Sequence, residues 1–518
     1  MAVQPDGIVR LMPNIALDPR YDHTIWFDTD TQQTDWFRSQ EGKEFPRTSY
    51  QRPNKGSIRL QAKYDTVEHM TYMMFQNASY GTRWWYAFVT AVDYINDNTV
   101  DISYELDVMQ SYRNHTLEKC FVVREHSMTD NPGDNTIPEN FELGDYVTST
   151  SDTAYDDASG KRLMAERRII VAATFDSDYK DIGGNEYGGI YSGLYFHKFS
   201  TASGAANFIL NAGAKSEGIV SVFMMPNAFT TGGGESAKSY TCTKDKKMKP
   251  YGFTPNNKKL LTYPYNFMYV TNLQGQSACY PYEYFSSDKC SFQISGDMSC
   301  NPSVVLVPRD YKGLTMNFDE KMVISGFPIC AYTTDTFKAW LAQSASSLGF
   351  GAIVGLGDTA AKQMRYEAMW ANPAISLGST AAYGAGALVS VAGAAASACA
   401  QVYTHSILPD HAKNTNGNNT LAALGMLDFV FMTKHIRDEY AHIIDEYFDM
   451  YGYATNRVKV PNRNGRPKWN YVKTAGCIVK GYIPASDIAK ICSIYDKGIT
   501  FWKDGSKIGK YGGTGNNI

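Results

Sequence analysis

The chain has 518 residues, of which 43% are hydrophobic and 19% charged, and a formal net charge of −3. That length holds roughly two to four domains, and that balance excludes a disordered chain. A charge so near zero gives no global attraction to nucleic acid or to anionic membranes.

Aromatic residues are abundant, with 36 Tyr, 25 Phe and 8 Trp, and together with many Thr, Ser and Asn they favour β-structure. The opening MAVQPDGIVRLMPNIALDPRYD has neither a basic n-region nor an apolar h-region, so no secretory signal is expected. The nine cysteines are scattered, with no C-x-x-C pair. Cys279, Cys290 and Cys300 lack zinc spacing, and the reading is free thiols made in a reducing cytoplasm.

In chain order, SIRLQAKY is the first short apolar run with strand character. WWYAFVTAVDYI and VDISYELDV follow. In the second, Val100, Ile102, Tyr104, Leu106 and Val108 alternate with Asp101, Ser103, Glu105 and Asp107, the period of a half-buried strand. The turn residues Asn96 to Asn98 between them predict an antiparallel hairpin. RRIIVAATF, GIVSVFMM and YNFMYVTNL repeat the strand signal, so barrels or sandwiches are expected.

Ala339–Leu424 breaks the pattern. AWLAQSASSLGFGAIVGLG carries no charge. DTAAKQMRYE follows, and then nothing charged appears from Ala368 to Pro409 apart from His405, which can protonate. Ala374, Gly378, Ala382, Gly386, Ser390, Ala394 and Ala398 form an i, i+4 row of small residues suited to close helix packing. Each arm approaches the ~20 residues that span a hydrocarbon core. Two readings stand: a buried Ala/Gly-rich hairpin inside an oligomer, and a membrane-active insertion. The second takes precedence, because the rest of the chain looks soluble and must hide this segment in one state. Its candidate residues are Leu348, Phe350, Ile353, Val354, Leu356, Trp370, Ile375, Leu377, Gly378, Tyr383, Gly386, Leu388, Val389, Val391 and Gly393.

Beyond Gly425 the chain reads as α+β. KHIRDEYAHIIDEYFDMYGY places Ile436, Tyr440, Ile443, Tyr447 and Met450 at helical spacing, with Gly452 as the stop. RVKVPNRNGRPKWNYVKTAGCIVKGYI predicts a hairpin turning near Asn464-Gly465. PASDIAKICSIYDKG predicts a helix capped by Ser486, and ITFWKD a last strand. The hairpin is basic, with Arg457, Lys459, Arg463, Arg466 and Lys468 as candidate DNA-facing residues. A solvated edge guarded by its cations is the competing and favoured reading.

No catalytic set emerges. His435 and His442 are two helical turns apart, too far for one metal ion without further ligands. GFGAIVG has the wrong spacing for a dinucleotide loop, and TTGGGES lacks the lysine of a P-loop. Asp156-Asp157 reads as a solvated turn. No cofactor, metal or catalytic residue is expected.

Two long blocks bear a resemblance to a known family. TYMMFQNASYGTRWWYAFVTAVDYINDNTVDISYELDVMQSY, followed by CFVVREHS and NTIPENFELGDYV, resembles the tail knob proteins of small short-tailed phages of the Picovirinae type. YGYATNRVKVPNRNGRPKWNYVKTAGCIVKGYIPASDIAKICSIYDKGITFW is similar to the end of the same proteins. The middle, from about Ala154 to Phe337, carries little of the resemblance. The resemblance implies a mainly β (α+β) fold, with barrel-like tail-tube domains assembled as a homohexameric ring in the virion tail. It further implies contact with other tail proteins on the collar side, phage DNA passing non-specifically through the lumen, and a hydrophobic loop per subunit. That loop plugs the tube and then penetrates the host cell membrane, and it aligns with Ala339–Leu424. The expected organisation is a tube domain over 1–150, a β-rich knob domain over 151–338, the loop over 339–424 and an α+β part over 425–518 that completes the tube. A tail-tip adhesin is the alternative; it needs no such loop. A cell-wall hydrolase would need a catalytic pair that the sequence does not offer.

Overall fold

The structure, a computed structural model, describes residues 7–330 and 427–518, apart from 49–55, 78–80, 82, 127–128, 130, 176–181, 192, 213–214, 216–217, 231–236, 512–514 and 517–518. The fold is mainly β, as expected, and one sheet curls into half a barrel. The chain forms two compact units from interleaved segments: Met1–Asp145, Tyr251–Thr262 and Ile436–Ile518 make the first, Tyr146–Pro250 and Tyr263–His435 the second.

The first unit contains a six-stranded antiparallel sheet in the order Lys43–Thr48, Gly7–Met12, Tyr72–Asn77, Trp85–Asn96, Thr99–Leu106, Ser57–Leu60. The expected hairpin is present. Asn96 pairs with Thr99 across the turn, and the Asn98 N–H donates to Asn96 Oδ1 at 3.0 Å. Val100 and Ile102 are fully buried, while Asp101 between them receives two bonds from Arg59 at 2.7 and 2.8 Å. Strand alternation sends neighbours to opposite sides: Tyr72 and Met74 enter one apolar core, Met73 and Phe75 another. The strand Tyr72–Asn77 is therefore buried on both faces.

A five-stranded sheet in the same unit runs His23–Ile25, Ile499–Trp502, Trp469–Ala475, Cys120–Glu125, Tyr453–Lys459. Here the structure corrects the basic hairpin. Tyr453–Lys459 and Trp469–Ala475 do not pair with each other; Cys120–Glu125 lies between them and is antiparallel to both. The link through Asn464-Gly465 thus spans a strand rather than forming a tight turn.

The helix Asp438–Tyr451 ends at Gly452, as expected, but it buries Ala441, Ile444, Asp445 and Phe448, and leaves Ile443 65% exposed. Its apolar stripe therefore lies beside the expected one. Ile436 is not on the helix at all but ends the strand Val430–Ile436. The helix Ala485–Lys497 starts after Pro484, with no side-chain cap; Ser486 lies inside it, its hydroxyl 3.4 Å from Asp487.

Among the described residues the second unit holds three sheets. Their orders are Tyr146–Thr153, Val430–Ile436, Asn266–Thr271, Ser277–Pro281; then Glu186–Tyr191, Leu194–Phe199, Arg167–Ala173, Ile219–Pro226, Ile329–Cys330; and Lys238–Asp245, Lys289–Gly296, Val304–Tyr311, Leu314–Met316, with Met322–Ile324 also pairing on Val304–Tyr311. One core takes side chains from all three, among them Phe431, Ile170 and Phe292.

Candidate functional site

The residues assigned to membrane action, from Leu348 to Gly393, lie outside the described residues. The described chain stops at Cys330 and resumes at Leu427. Phe327 before the segment and Leu427 and Phe429 after it are all buried at 2% exposure or less, in the core shared by the three sheets of the second unit. Asp428 between those two anchors is buried as well. It accepts Arg162 Nε and Nη2, each at 2.8 Å, and burial pushes its carboxyl up to about 6. Among the described residues no helix is long and apolar enough to cross a membrane.

The basic segment divides by fate. Arg463 turns inward: its Nη1 donates to His115 Nε2 at 3.1 Å and to the His115 carbonyl at 3.3 Å, and its guanidinium lies 5.0 Å from the Trp26 ring centre. Arg466 is almost wholly buried. Lys459 pairs with the buried Glu125. Arg457 and Lys468 are exposed.

The two histidines beside the inward arginines are held neutral. His115 Nδ1–H donates to the Tyr112 carbonyl at 2.8 Å, leaving Nε2 to accept the Tyr495 hydroxyl at 2.9 Å. His126 Nε2–H donates to the Asp449 carbonyl at 3.0 Å, and Nδ1 accepts the Tyr471 N–H at 2.7 Å. Burial first, then the neighbouring Arg463, lowers His115 to about 4; burial and then Arg466 lower His126 to about 3. Both rings therefore serve as fixed connectors at neutral pH rather than as proton carriers.

Sequence reasoning missed a buried polar network that pins Tyr251–Thr262 into the first unit. Lys259 donates to Glu139 Oε1 at 2.7 Å and to the Ile137 carbonyl at 2.9 Å, and Arg124 pairs with the same Glu139. The Asn256 and Asn257 N–H groups donate to the two oxygens of Asp445 at 2.8 and 2.9 Å. No local pattern signals these contacts, because each joins segments far apart in the chain.

The perturbed groups are structural. Asp107, raised to about 6 by burial, caps Val108–Ser111 through the Met109 and Gln110 N–H groups and accepts the Tyr72 hydroxyl at 2.8 Å. Burial raises the Cys242 thiol to about 11 and the Cys290 thiol to about 12, far from a reactive thiolate. Glu283, raised by burial to about 7, accepts the Tyr263 N–H. A shallow cavity of about 420 Å³ is lined by Lys43, Lys63 and Asn98 but by no carboxylate. Among the described residues no three His, Cys, Asp or Glu side chains gather as metal ligands.

Comparison with known proteins agrees with this picture of a structural molecule. Residues 227–514 match the family described as the C-terminal domain of tail knob protein gp9 of Bacillus phage phi29, and residues 6–117 match the caudoviral major tail protein N-terminus. The chain belongs to the tail knob protein gp9 family. It is 26% identical to tail knob protein gp9 of Bacillus phage PZA and 24% identical to that of Bacillus phage phi29, in each case over 97% of both chains. The fold is also similar to that of the tail knob protein gp12 of bacteriophage C1, with a TM-score of 0.58 and 14% identity over 97% of this chain and 98% of the other. The protein is a structural component of a virion tail, in a family of tail knob proteins rather than enzymes.

Proposed function

We propose that six copies of this chain form a ring whose lumen conducts phage DNA, and that Ala339–Leu424 plugs the lumen before infection and then enters the host membrane. The observation that carries this is the segment's composition: two uncharged arms rich in Ala, Gly and Ser, inserted in a chain that is otherwise polar and aromatic. Such arms pack on one another when dry, and lipid satisfies the same surface once their backbone groups are paired. The buried anchors Phe327, Leu427 and Phe429 support the reading, since they let the segment change surroundings without unseating the core. The inward turn of Arg463 and Arg466 suits a conduit: each phosphate contact strengthens salt-dependent binding to DNA, and a tube must let DNA slide.

The test is to delete Ala345–Leu408, join the ends with a short Gly/Ser linker, and compare the variant with wild type by electron microscopy and by dye leakage from liposomes. Six-fold rings in both, with leakage only from wild type, are expected. Equal leakage from both, or loss of rings on deletion, overturns the reading; the second result makes the segment a structural hairpin.

A further inference from the structure

The exposed large apolar side chains described in the first unit gather, Ile443 aside, in two places. One is the end of the Trp85–Asn96/Thr99–Leu106 hairpin, where Tyr94 is 57% and Ile95 43% exposed. The other is a face of the five-stranded sheet. There Val458 pairs directly with Phe121 and Val460 follows two residues on, while the exposed Ile478 and Tyr482 flank the short strand Val479–Lys480, which pairs with Thr116–Leu117 just before Phe121.

These surfaces carry opposite charge. At the hairpin end Asp93 and Asp97 are exposed, and among the described residues neither meets a cation; Asp97 accepts the Tyr94 hydroxyl at 2.6 Å. Lys43 and Lys63 lie beside Asn98, so the acidic character belongs to the Asp93–Asp97 side. Lys119 is exposed on the Phe121 side of the sheet, while Arg457, next to Val458 in the edge strand and paired with the buried Val122, is exposed on the other side of that edge. Among the described residues neither has an ion pair, whereas Lys459 and Lys480 are occupied by Glu125 and Glu118.

Each surface also ends in an open strand edge. Tyr72–Asn77 pairs with Trp85–Asn96 only over Trp85–Phe88, so among the described residues no strand covers the outer edge from Thr90 to Asn96. Tyr453–Lys459 is the last strand of its sheet. Open edges beside exposed apolar side chains invite pairing, and folded proteins cover them.

We propose that the hairpin end of one copy docks over the open Tyr453–Lys459 edge of the next copy, reaching the Phe121–Val458 face on one side and Arg457 on the other, with Asp93 and Asp97 against Lys119 and Arg457. Two different surfaces on one unit make a head-to-tail contact, the kind that closes into a ring when its rotation permits. This rests on the ring reading above, which names no contacting surfaces.

The test uses the full chain. Asp93→Lys with Asp97→Lys is one variant, Lys119→Asp with Arg457→Asp a second, and all four substitutions a third. Assembly is followed by light scattering over a dilution series, and thermal unfolding confirms that each variant folds. Each charge-reversed pair should raise the concentration needed for assembly about tenfold or more, because like charges then face each other across the contact. The fourfold variant should recover assembly near the wild-type concentration. Unchanged assembly in both pair variants, or no recovery in the fourfold variant, overturns this contact while leaving a ring possible. A wild-type protein that is monomeric at every concentration overturns the ring itself.

Discussion

At the scale of the residue, the buried histidines give a pH dependence with a defined sign. His126 has a folded pKa of about 3 against about 6.5 in an unfolded chain. The unfolded chain therefore takes up a proton that the folded chain refuses. The stability this contributes is present above pH 6.5 and is lost as the pH falls toward 3; by pH 5 the loss is about 2 kcal/mol. Asp107 and Asp449 in the same unit, both raised to about 6, act in the opposite sense, so the whole-protein profile mixes the two. Comparison with His126→Asn, whose amide oxygen can accept the Tyr471 N–H, isolates the ring. In urea unfolding the wild type should lose about 2 kcal/mol more than the variant between pH 7 and pH 5. Parallel profiles would show that the ring takes up its proton as readily in the folded chain as in the unfolded one. Gly452 makes a second case. Its φ is +65°, and an added Cβ would lie 2.3 Å from the Glu125 carbonyl oxygen, which is backbone and cannot swing aside. Gly452→Ala should cost about 3 kcal/mol or more, read as a fall in the urea midpoint.

At the scale of the element, Arg162 and Asp428 couple the exit of the uncharged segment to the core of the second unit. Removing Arg162 leaves a buried carboxylate without its partner, and Arg162→Leu should destabilise by roughly 3 kcal/mol at pH 7.5. Asp428 already has a raised pKa, and without the guanidinium it rises further. The folded form can then shed the charge by protonation, so the deficit should shrink below pH 6. A deficit that stays constant from pH 7.5 to pH 5 would assign the loss to packing instead. Elements of this kind were legible in the sequence only where their determinants are local. The Trp85–Leu106 hairpin could be read because alternation and turn sit in one window. The arrangement around Cys120–Glu125 could not, because its partner Tyr453 lies more than three hundred residues away, and adjacent apolar strands always suggest a hairpin. The helix Asp438–Tyr451 was legible as a helix but not in its facing. Its apolar residues form two neighbouring stripes, and only tertiary packing chooses Ala441, Ile444 and Phe448. The basic run suggested a solvated surface, yet Arg463 finds its acceptor in His115, 348 residues away.

At the scale of the whole molecule, the interleaving of segments decides what can be altered independently. Ile436–Ile518 joins Met1–Asp145 in one unit, while the flanks of the uncharged segment belong to the other. Substitutions inside that segment should therefore leave the charged and apolar surfaces of the first unit, and any assembly through them, untouched. This allows a sharper test than deletion. Gly386→Asp with Ala394→Asp adds two carboxylates to the uncharged run from Ala368 to Pro409. Each costs roughly 2.5–3.5 kcal/mol at the centre of a bilayer. Liposome leakage should fall steeply, and light scattering should give the wild-type assembly state. Lysine at the same two positions should act alike, since the penalty belongs to charge in hydrocarbon and not to its sign. Leakage that survives both pairs would remove this segment from the membrane step. Loss of assembly with both would place it in the packed interior of the oligomer, where a carboxylate or an ammonium is equally unwelcome.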